Sequence, residues 1–208
     1  NGASQGDQSG TSVSLSSDGD IVAIGAYGND GTGSNAGHVR MYRQNPANTT
    51  IAPIGWTQLG IDIDGEAAGD WSGYSVSLSD DGATVAIGAI LNDGNGADAG
   101  HVRVYQNVGG TWSQIGGDID GEAAGDQSGI SVSLSSDGAT LAIGARYNDG
   151  NGSNSGHVRV YQKVASTWTQ VGQDIDGEMA GDESGGSVSL SSDGATVAIG
   201  AYRNDGAG

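Results

Sequence analysis

The string Ser-Val-Ser-Leu-Ser begins at Ser12, Ser75, Ser131 and Ser187, with apolar residues alternating with small polar ones. A period of two predicts a strand with one face covered. Each copy leads into Ser17-Asp18-Gly19, Asp80-Asp81-Gly82, Ser136-Asp137-Gly138 or Ser192-Asp193-Gly194, where Asp-Gly predicts a two-residue hairpin turn. A run of the type Ala-Thr-Val-Ala-Ile-Gly-Ala follows, apolar on both faces, as in a strand covered on both sides. A glycine-rich loop around Asn-Asp-Gly opens a third strand, His-Val-Arg-Val-Tyr, with Val102 and Val104 opposite His101, Arg103 and Tyr105. The stretch from Thr111 to Ile119 predicts a fourth strand, carrying Trp112. This reading gives fourteen strands, three sets of four and a last pair within Ser187–Ala201.

The copies start 63, 56 and 56 residues apart, and Ser75–Ile130 matches Ser131–Gly186 at 40 of 56 positions. Such closeness marks tandem duplication of one structural unit. The units are residues 1–63, 64–119, 120–175 and a partial 176–208, and the first carries an insert at 44–55 with both prolines, Pro46 and Pro53. Four antiparallel strands repeated every 56 residues predict the blades of an all-β β-propeller; an open solenoid or filament is the alternative. Asn1–Gly10 aligns with Asp64–Gly73, and the chain stops part-way through its fourth unit. Repeat arrays normally end in atypical capping units, so the expectation is a segment of a longer array. Failing that, self-association would complete the incomplete fourth repeat, whose last pair leaves an unpaired edge.

Composition narrows the classes. Forty of 208 residues are glycine, with two prolines and no cysteine; without a Gly-X-Y period collagen is excluded, and glycine in every segment disfavours helix bundles. No apolar run approaches a membrane span, so membrane insertion is not expected. Seven Lys/Arg face 25 Asp/Glu, a net charge of −18, which argues against nucleic acid and favours cations or basic surfaces as partners.

Ser-Gly-x-Ser-Val-Ser, Val-Ala-Ile-Gly-Ala and Gly-His-Val-Arg-Val-Tyr together resemble the FG-GAP repeat of integrin-α-type β-propellers, four times over. Gly10, Gly73, Gly129 and Gly185 fall on the glycine of "FG"; Gly25-Ala26, Gly88-Ala89, Gly144-Ala145 and Gly200-Ala201 fall on the "GA" of "GAP". The tandem copies are also similar to segments of large bacterial surface proteins. The resemblance implies a non-catalytic extracellular or cell-surface scaffold and adhesion module. Serine replaces the Phe of "FG", and Tyr27, Ile90, Arg146 or Tyr202 replaces the Pro of "GAP". The loop that binds calcium in family members, between strands one and two, is shortened here to Ser-Ser-Asp-Gly or Ser-Asp-Asp-Gly, so that site does not carry over.

Antiparallel connectivity sends the loops between strands two and three, and the joints between units, to one rim. There the joints place Asp62, Asp64, Glu66 and Asp70, then Asp118, Asp120, Glu122 and Asp126, then Asp174, Asp176, Glu178 and Asp182; the loops add Asp30, Asp93, Asp149 and Asp205, with Asp98 once. Calcium takes six to eight oxygens from carboxylates, amides and carbonyls, and this rim offers all three. Two readings stand: bound Ca2+, or a solvated acidic rim whose Asp and Asn make turns. His38, His101 and His157 recur once per unit, too far apart to share one zinc ion, and read as strand-start residues capping a glycine loop. Trp56, Trp112 and Trp168 recur on the outer strand, either stacking on sugars or packing between blades. Trp71 and Tyr74 are aromatics of the second joint alone and are candidates for a local ligand contact. Asn48 and Asn151 begin glycosylation sequons, Asn48 in the insert being the better acceptor in a eukaryotic secretory setting.

No cysteine nucleophile or metal-ligand His pair is present, and a catalytic site repeated with its whole surroundings would diverge from its copies, so an enzyme is not expected. The expected partner is a protein or glycan ligand on the acidic rim. A carbohydrate-binding, lectin-like propeller is one alternative, and a structural stalk or filament segment is another.

Overall fold

A computed structural model of the chain describes residues 4–206, and every regular element among them is a strand. The first unit holds β1 (Ser12–Leu15), β2 (Ile21–Ala26), β3 (His38–Gln44), β4 (Trp56–Gln58) and β5 (Ile63–Asp64). The second holds β6 (Ser72–Leu78), β7 (Thr84–Ala89), β8 (His101–Val108), β9 (Thr111–Gln114) and β10 (Ile119–Asp120). The third holds β11 (Ser131–Leu134), β12 (Thr140–Ala145), β13 (His157–Val164), β14 (Thr167–Gln170) and β15 (Ile175–Asp176). The pair β16 (Ser184–Leu190) and β17 (Val197–Ala201) forms a two-stranded sheet. Within each complete sheet strand one pairs with two and two with three, all antiparallel, as in a propeller blade.

Two details differ from the sequence expectation. The fourth strand is two short strands, β4 with β5, β9 with β10 and β14 with β15, both lying on strand three. The break falls at Gly60, Gly116 and Gly172, whose φ angles of 83°, 78° and 76° turn the chain out of the ladder, a conformation glycine adopts at little cost. The number of strands accordingly exceeds fourteen. The first hairpin is also longer than two residues: the amide of Ser16 donates to Ile21 O at 2.9 Å, enclosing a four-residue loop. Asp18 Oδ1 closes that loop, accepting from Ser16 Oγ at 2.6 Å and from the amide of Asp20 at 2.9 Å. Asp81, Asp137 and Asp193 repeat the arrangement.

The core lies between sheets. Ile21, Val39, Met41 and Ile63 of the first unit meet Leu78, Val85 and Ile87 of the second. Val102, Val104 and Ile119 of the second meet Leu134, Leu141 and Ile143 of the third. Each such side chain contributes on the order of 1.5–3 kcal/mol by leaving water, and no unit supplies both halves of a core. Val13 and Leu15 of β1, by contrast, are 63% and 59% exposed, while Leu78 and Leu134 at the position of Leu15 are buried against the preceding unit.

The glycines of the repeat motif mark where units touch. Ser12 Oγ donates to Gly73 O at 2.7 Å, Ser75 Oγ to Gly129 O at 2.6 Å and Ser131 Oγ to Gly185 O at 2.8 Å. A Cβ on Gly25, Gly88 or Gly144 would lie 2.1, 2.2 or 2.0 Å from those same carbonyl oxygens, so only glycine permits the approach. Trp112 and Trp168 complete the seams, donating from Nε1 to Leu59 O at 2.9 Å and to Ile115 O at 3.1 Å of the preceding unit.

Candidate functional site

Loop and joint meet on one rim, as the connectivity requires. Thr32 Oγ1 donates to Gly65 O at 2.7 Å, Asn95 Nδ2 to Gly121 O and Glu122 O at 2.8 and 3.0 Å, and Asn151 Nδ2 to Gly177 O and Glu178 O at 2.9 Å each. Each joint is thus held against the loop of the preceding unit.

The rim's acids have four different surroundings. Asp70, Asp126 and Asp182 are buried; their Oδ2 atoms accept from Asn92, Asn148 and Asn204 Nδ2 at 3.1, 2.9 and 2.9 Å. The same oxygens accept from the amides of Ala67, Ala123 and Met179 at 3.0, 3.1 and 2.9 Å, so these aspartates tie each joint to the loop of its own unit. Asp93 and Asp149 are exposed, and their Oδ1 atoms close the loop by accepting from the amides of Asp98 and Asn154 at 2.9 and 2.8 Å. Asp64, Asp120 and Asp176 pair in register with His38, His101 and His157 and lie over Gly31, Gly94 and Gly150. Glu178 is exposed, its carbonyl rather than its carboxylate being tied down.

The fourth set surrounds the histidines. Ligand atoms of His38, Asp62 and Asp64, of Glu66, His101 and Asp118, and of Glu122, His157 and Asp174 lie within 4.8 Å of one another in each group. The histidines do not meet each other. Glu66 and Glu122 lie in the joints between consecutive sheets, so these groups sit at the seam. Sequence reading missed them because the pairing of strand three with the split fourth strand, and the reach of the glutamate from the joint, are both tertiary; the signal available was that histidine, aspartate and glutamate recur together in every unit.

Burial, and after it the neighbouring arginine, lowers the pKa of all three histidines and keeps the imidazoles neutral. Arg103 and Arg159 are buried and cross the seam: Nη2 donates to Asp64 O at 2.8 Å and to Asp120 O at 2.6 Å. Their Nη1 atoms stand 3.4 Å from Glu66 Oε1 and 3.8 Å from Glu122 Oε1. Arg40 differs. It grips Asp62 of its own unit, with Nε 3.0 Å from both carboxylate oxygens and Nη2 2.8 Å from Oδ2, and this holds the Asp62 carboxyl below the usual range.

Trp71 and Tyr74 are half-buried and join Tyr27 of the first unit, with ring centroids 4.9 Å (Tyr27–Trp71), 5.5 Å (Tyr27–Tyr74) and 6.3 Å (Trp71–Tyr74) apart. Trp112 and Trp168 are engaged between units, whereas Trp56 lines an open groove of about 540 Å³ with Tyr42, Ile51 and Pro53 under the insert. Asn48 staples that insert: its Nδ2 donates to Ile51 O, Pro53 O and Trp56 O at 2.8, 3.2 and 2.6 Å, which occupies the nitrogen a glycan would need.

No curated protein matches the sequence. Among solved structures, the chain is similar to a putative 6-phosphogluconolactonase from Bacteroides uniformis (TM-score 0.59, 14% identity, 90% of this chain and 46% of that one). It is also similar to the Kuenenia stuttgartiensis hydrazine synthase (0.54, 14%, 95% and 43%) and to Saccharomyces cerevisiae Sqt1 (0.54, 12%, 86% and 39%). The chain spans less than half of each of these proteins, and at such identities the likeness shows the fold alone. The family model of the FG-GAP repeat matches residues 1–42, 62–105 and 119–161, more than half of the sequence. The chain therefore belongs to the FG-GAP repeat family, and its sheets are blades of a β-propeller.

Proposed function

We propose that the chain is a non-catalytic extracellular scaffold and adhesion module whose acidic rim receives a protein partner with a basic surface. The observation that carries this reading is the sorting of the rim's acids. With the buried aspartates committed to the framework, Asp30, Asp93, Asp98, Asp149 and Glu178 remain exposed together on one rim of a chain with net charge −18. Such a field steers cationic surfaces and repels polyanions. Most polar groups of that rim recur from unit to unit, an arrangement suited to contacts repeated along a surface rather than to one catalytic constellation. Calcium is an accessory to this reading: exposed Asp93 and Asp149 beside glycine-rich carbonyls supply oxygen ligands of the kind it takes. A calorimetric titration with CaCl2 that shows no heat removes calcium and leaves the partner surface standing.

The test is adhesion of beads coated with the chain to cell surfaces, compared with beads coated with an Asp93→Asn/Asp98→Asn/Asp149→Asn/Glu178→Gln variant. Asn keeps the loop-closing Oδ1, and Asn35 and Asn154 stand at the repeat position of Asp98, so the fold is preserved. Adhesion that falls in the variant and in high salt supports the proposal; wild-type beads that adhere no better than albumin-coated ones overturn it.

The Tyr27–Trp71–Tyr74 group favours a second reading, a carbohydrate-binding propeller, because half-buried rings at a rim stack on sugar faces while keeping a polar edge wet. A glycan array on which Trp71→Ala and wild type give the same empty result ends that reading. The unpaired edge of β17 and the uncovered Val13 and Leu15 support association with further blades, of this chain or another; sedimentation as a 20.6 kDa monomer would count against self-association.

A further inference from the structure

The framework leaves two buried imidazoles without a role. His101 and His157 are each 1% exposed, and neither ring nitrogen of either residue has a hydrogen-bond partner. Leaving a buried polar atom without a partner costs stability. What faces the ring is a pair of carboxylates. His157 Nδ1 is 3.7 Å from Glu122 Oε2 and 3.7 Å from Asp174 Oδ2, too long for hydrogen bonds. Ligand atoms at 2.0–2.1 Å from a tetrahedral cation stand about 3.3–3.4 Å from one another; both nitrogen–oxygen gaps at His157 exceed that by a few tenths of an ångström, and in both groups the three ligand atoms lie within 4.8 Å of one another.

The other oxygen of each aspartate is held by a hydrogen bond, and that of each glutamate faces an arginine. Gln170 Nε2 donates to Asp174 Oδ1 at 2.6 Å, and Gln114 Nε2 to Asp118 Oδ1 at 2.7 Å. Arg159 Nη1 stands by Glu122 Oε1, and Arg103 Nη1 by Glu66 Oε1. Outer groups that fix one oxygen and aim the second are what a metal centre requires. Glu122 and Asp174 are 43% and 28% exposed, so the carboxylate side opens to solvent and leaves a position for water.

We propose that Glu122, His157 and Asp174, and likewise Glu66, His101 and Asp118, each bind one divalent first-row transition cation, Zn2+ by preference, at the seam between consecutive units. An imidazole nitrogen with two carboxylates and an open position suits such an ion better than calcium, which takes oxygen alone. The first unit supplies an internal control. Ala3 occupies the repeat position of Glu66 in the sequence, and Arg40 covers Asp62 with three contacts, so His38 has no second free carboxylate from across a seam. The cation sites stand independently of the adhesion reading.

The experiment is calorimetric titration of the chelator-treated chain with ZnCl2. Two ions per chain are expected, one in His157→Asn, none in the His101→Asn/His157→Asn double variant, and two in His38→Asn. Co2+ added in place of Zn2+ is expected to give the visible band of a tetrahedral site, absent from the double variant. Should the histidine variants fail to fold, Glu66→Gln/Glu122→Gln alters only half-exposed side chains and is expected to weaken Zn2+ at least about tenfold at both sites. No Zn2+ binding overturns the proposal, as does binding that survives both double variants, which would place the ions on the general acidic rim, or a loss in His38→Asn equal to that in His157→Asn.

Discussion

Replacing Gly88 by alanine puts the unit seam to a direct test. Gly88 lies within β7 and does not take a positive φ, so its backbone accepts alanine and only space opposes the change. The new Cβ would lie 2.2 Å from Gly129 O and 2.4 Å from Ser75 Oγ. The hydroxyl can rotate away, but that abandons its 2.6 Å bond to Gly129 O, a loss of about 1 kcal/mol. The carbonyl is kept from rotating because the Ile130 amide of the same peptide donates to Gln127 O at 3.2 Å, so the sheets must part by about 1 Å to restore van der Waals separation. Overpacking of this kind costs about 1–3 kcal/mol, against a gain of about 0.5–1 kcal/mol from removing a glycine from a strand. The net is a destabilisation of about 2 kcal/mol, or a fall in Tm of about 4–8 °C for a chain of this length. Gly200 provides the control. It holds the same repeat position in β17, but its Cβ would meet only Ser187 Oγ at 2.3 Å, with the next atom at 3.7 Å and no carbonyl from a following unit. Gly200→Ala is therefore expected within about 0.5 kcal/mol of wild type. Thermal unfolding of the three proteins by circular dichroism decides it: equal losses in both variants, or none in Gly88→Ala, would refute the claim that this glycine exists for the approach of the next unit.

Arg159→Ala leaves Asp120 O without its 2.6 Å donor at a buried seam and is expected to lower stability in urea by about 1.5–3 kcal/mol; Arg40→Ala, whose partner Asp62 is partly exposed in its own unit, should cost about 1 kcal/mol or less. Asn148→Asp sets a second carboxylate 2.9 Å from the Asp126 oxygen that Asn148 now serves. At neutral pH a loss of at least about 2 kcal/mol is expected, shrinking toward about pH 4 as the pair takes up a proton; denaturation midpoints that show no such pH dependence would contradict it. The pKa of Asp137 is lowered first by Ser135 Oγ and then by the amide of Ala139. Its contribution to stability is thus complete above the unfolded value of about 3.9 and lost as pH falls through the lower folded value. Carbon-detected NMR titration should find Asp137 below an unperturbed aspartate, and Ser135→Ala should move it upward.

The strands were legible because their periodicity is local and stamped four times. The split of the fourth strand was written in Leu59-Gly60-Ile61 and its copies, but a glycine inside an apolar run reads equally as a bulge or as a loosely packed strand. The acids were legible as a rim and illegible as individuals. Asp70 and Asp93 are both turn-forming aspartates in sequence; what separates them is that Asn92, twenty-two residues along, reaches Asp70 in the folded chain and leaves Asp93 exposed. The histidines looked like isolated strand-start residues because their carboxylates arrive from two other places, Asp118 by way of the split strand and Glu66 from the joint. Tyr27 stood in the sequence only as the residue in place of the Pro of "GAP", because it joins Trp71 and Tyr74 only where the next unit docks.

Variation between the near-identical units points to where recognition is free to evolve. The second and third units share the polar and glycine contacts that cross their seams: the Ser75/Ser131 hydroxyl, the Gly88/Gly144 contact, the Arg103/Arg159 bridge and the Trp112/Trp168 indole. Of the sixteen differences between Ser75–Ile130 and Ser131–Gly186, five fall in the loop between the second and third strands, at Ile90-Leu91 against Arg146-Tyr147 and Ala97-Asp98-Ala99 against Ser153-Asn154-Ser155. Those changes leave the loop's closure intact, since Asp93 and Asp149 bind the amides of Asp98 and Asn154, not their side chains. A loop closed through backbone amides can exchange its side chains without loss of shape, which is the condition for altering a partner surface on a rigid support. Arg146 over Tyr147, with the guanidinium 4.5 Å from the ring centroid, already gives the third unit a partly exposed cationic, aromatic patch where the second has Leu91 beside a buried Ile90. Exchanging the exposed Ala97-Asp98 for Ser-Asn should therefore change which partners the rim retains without moving the melting temperature, whereas an exchange inside a seam would alter both.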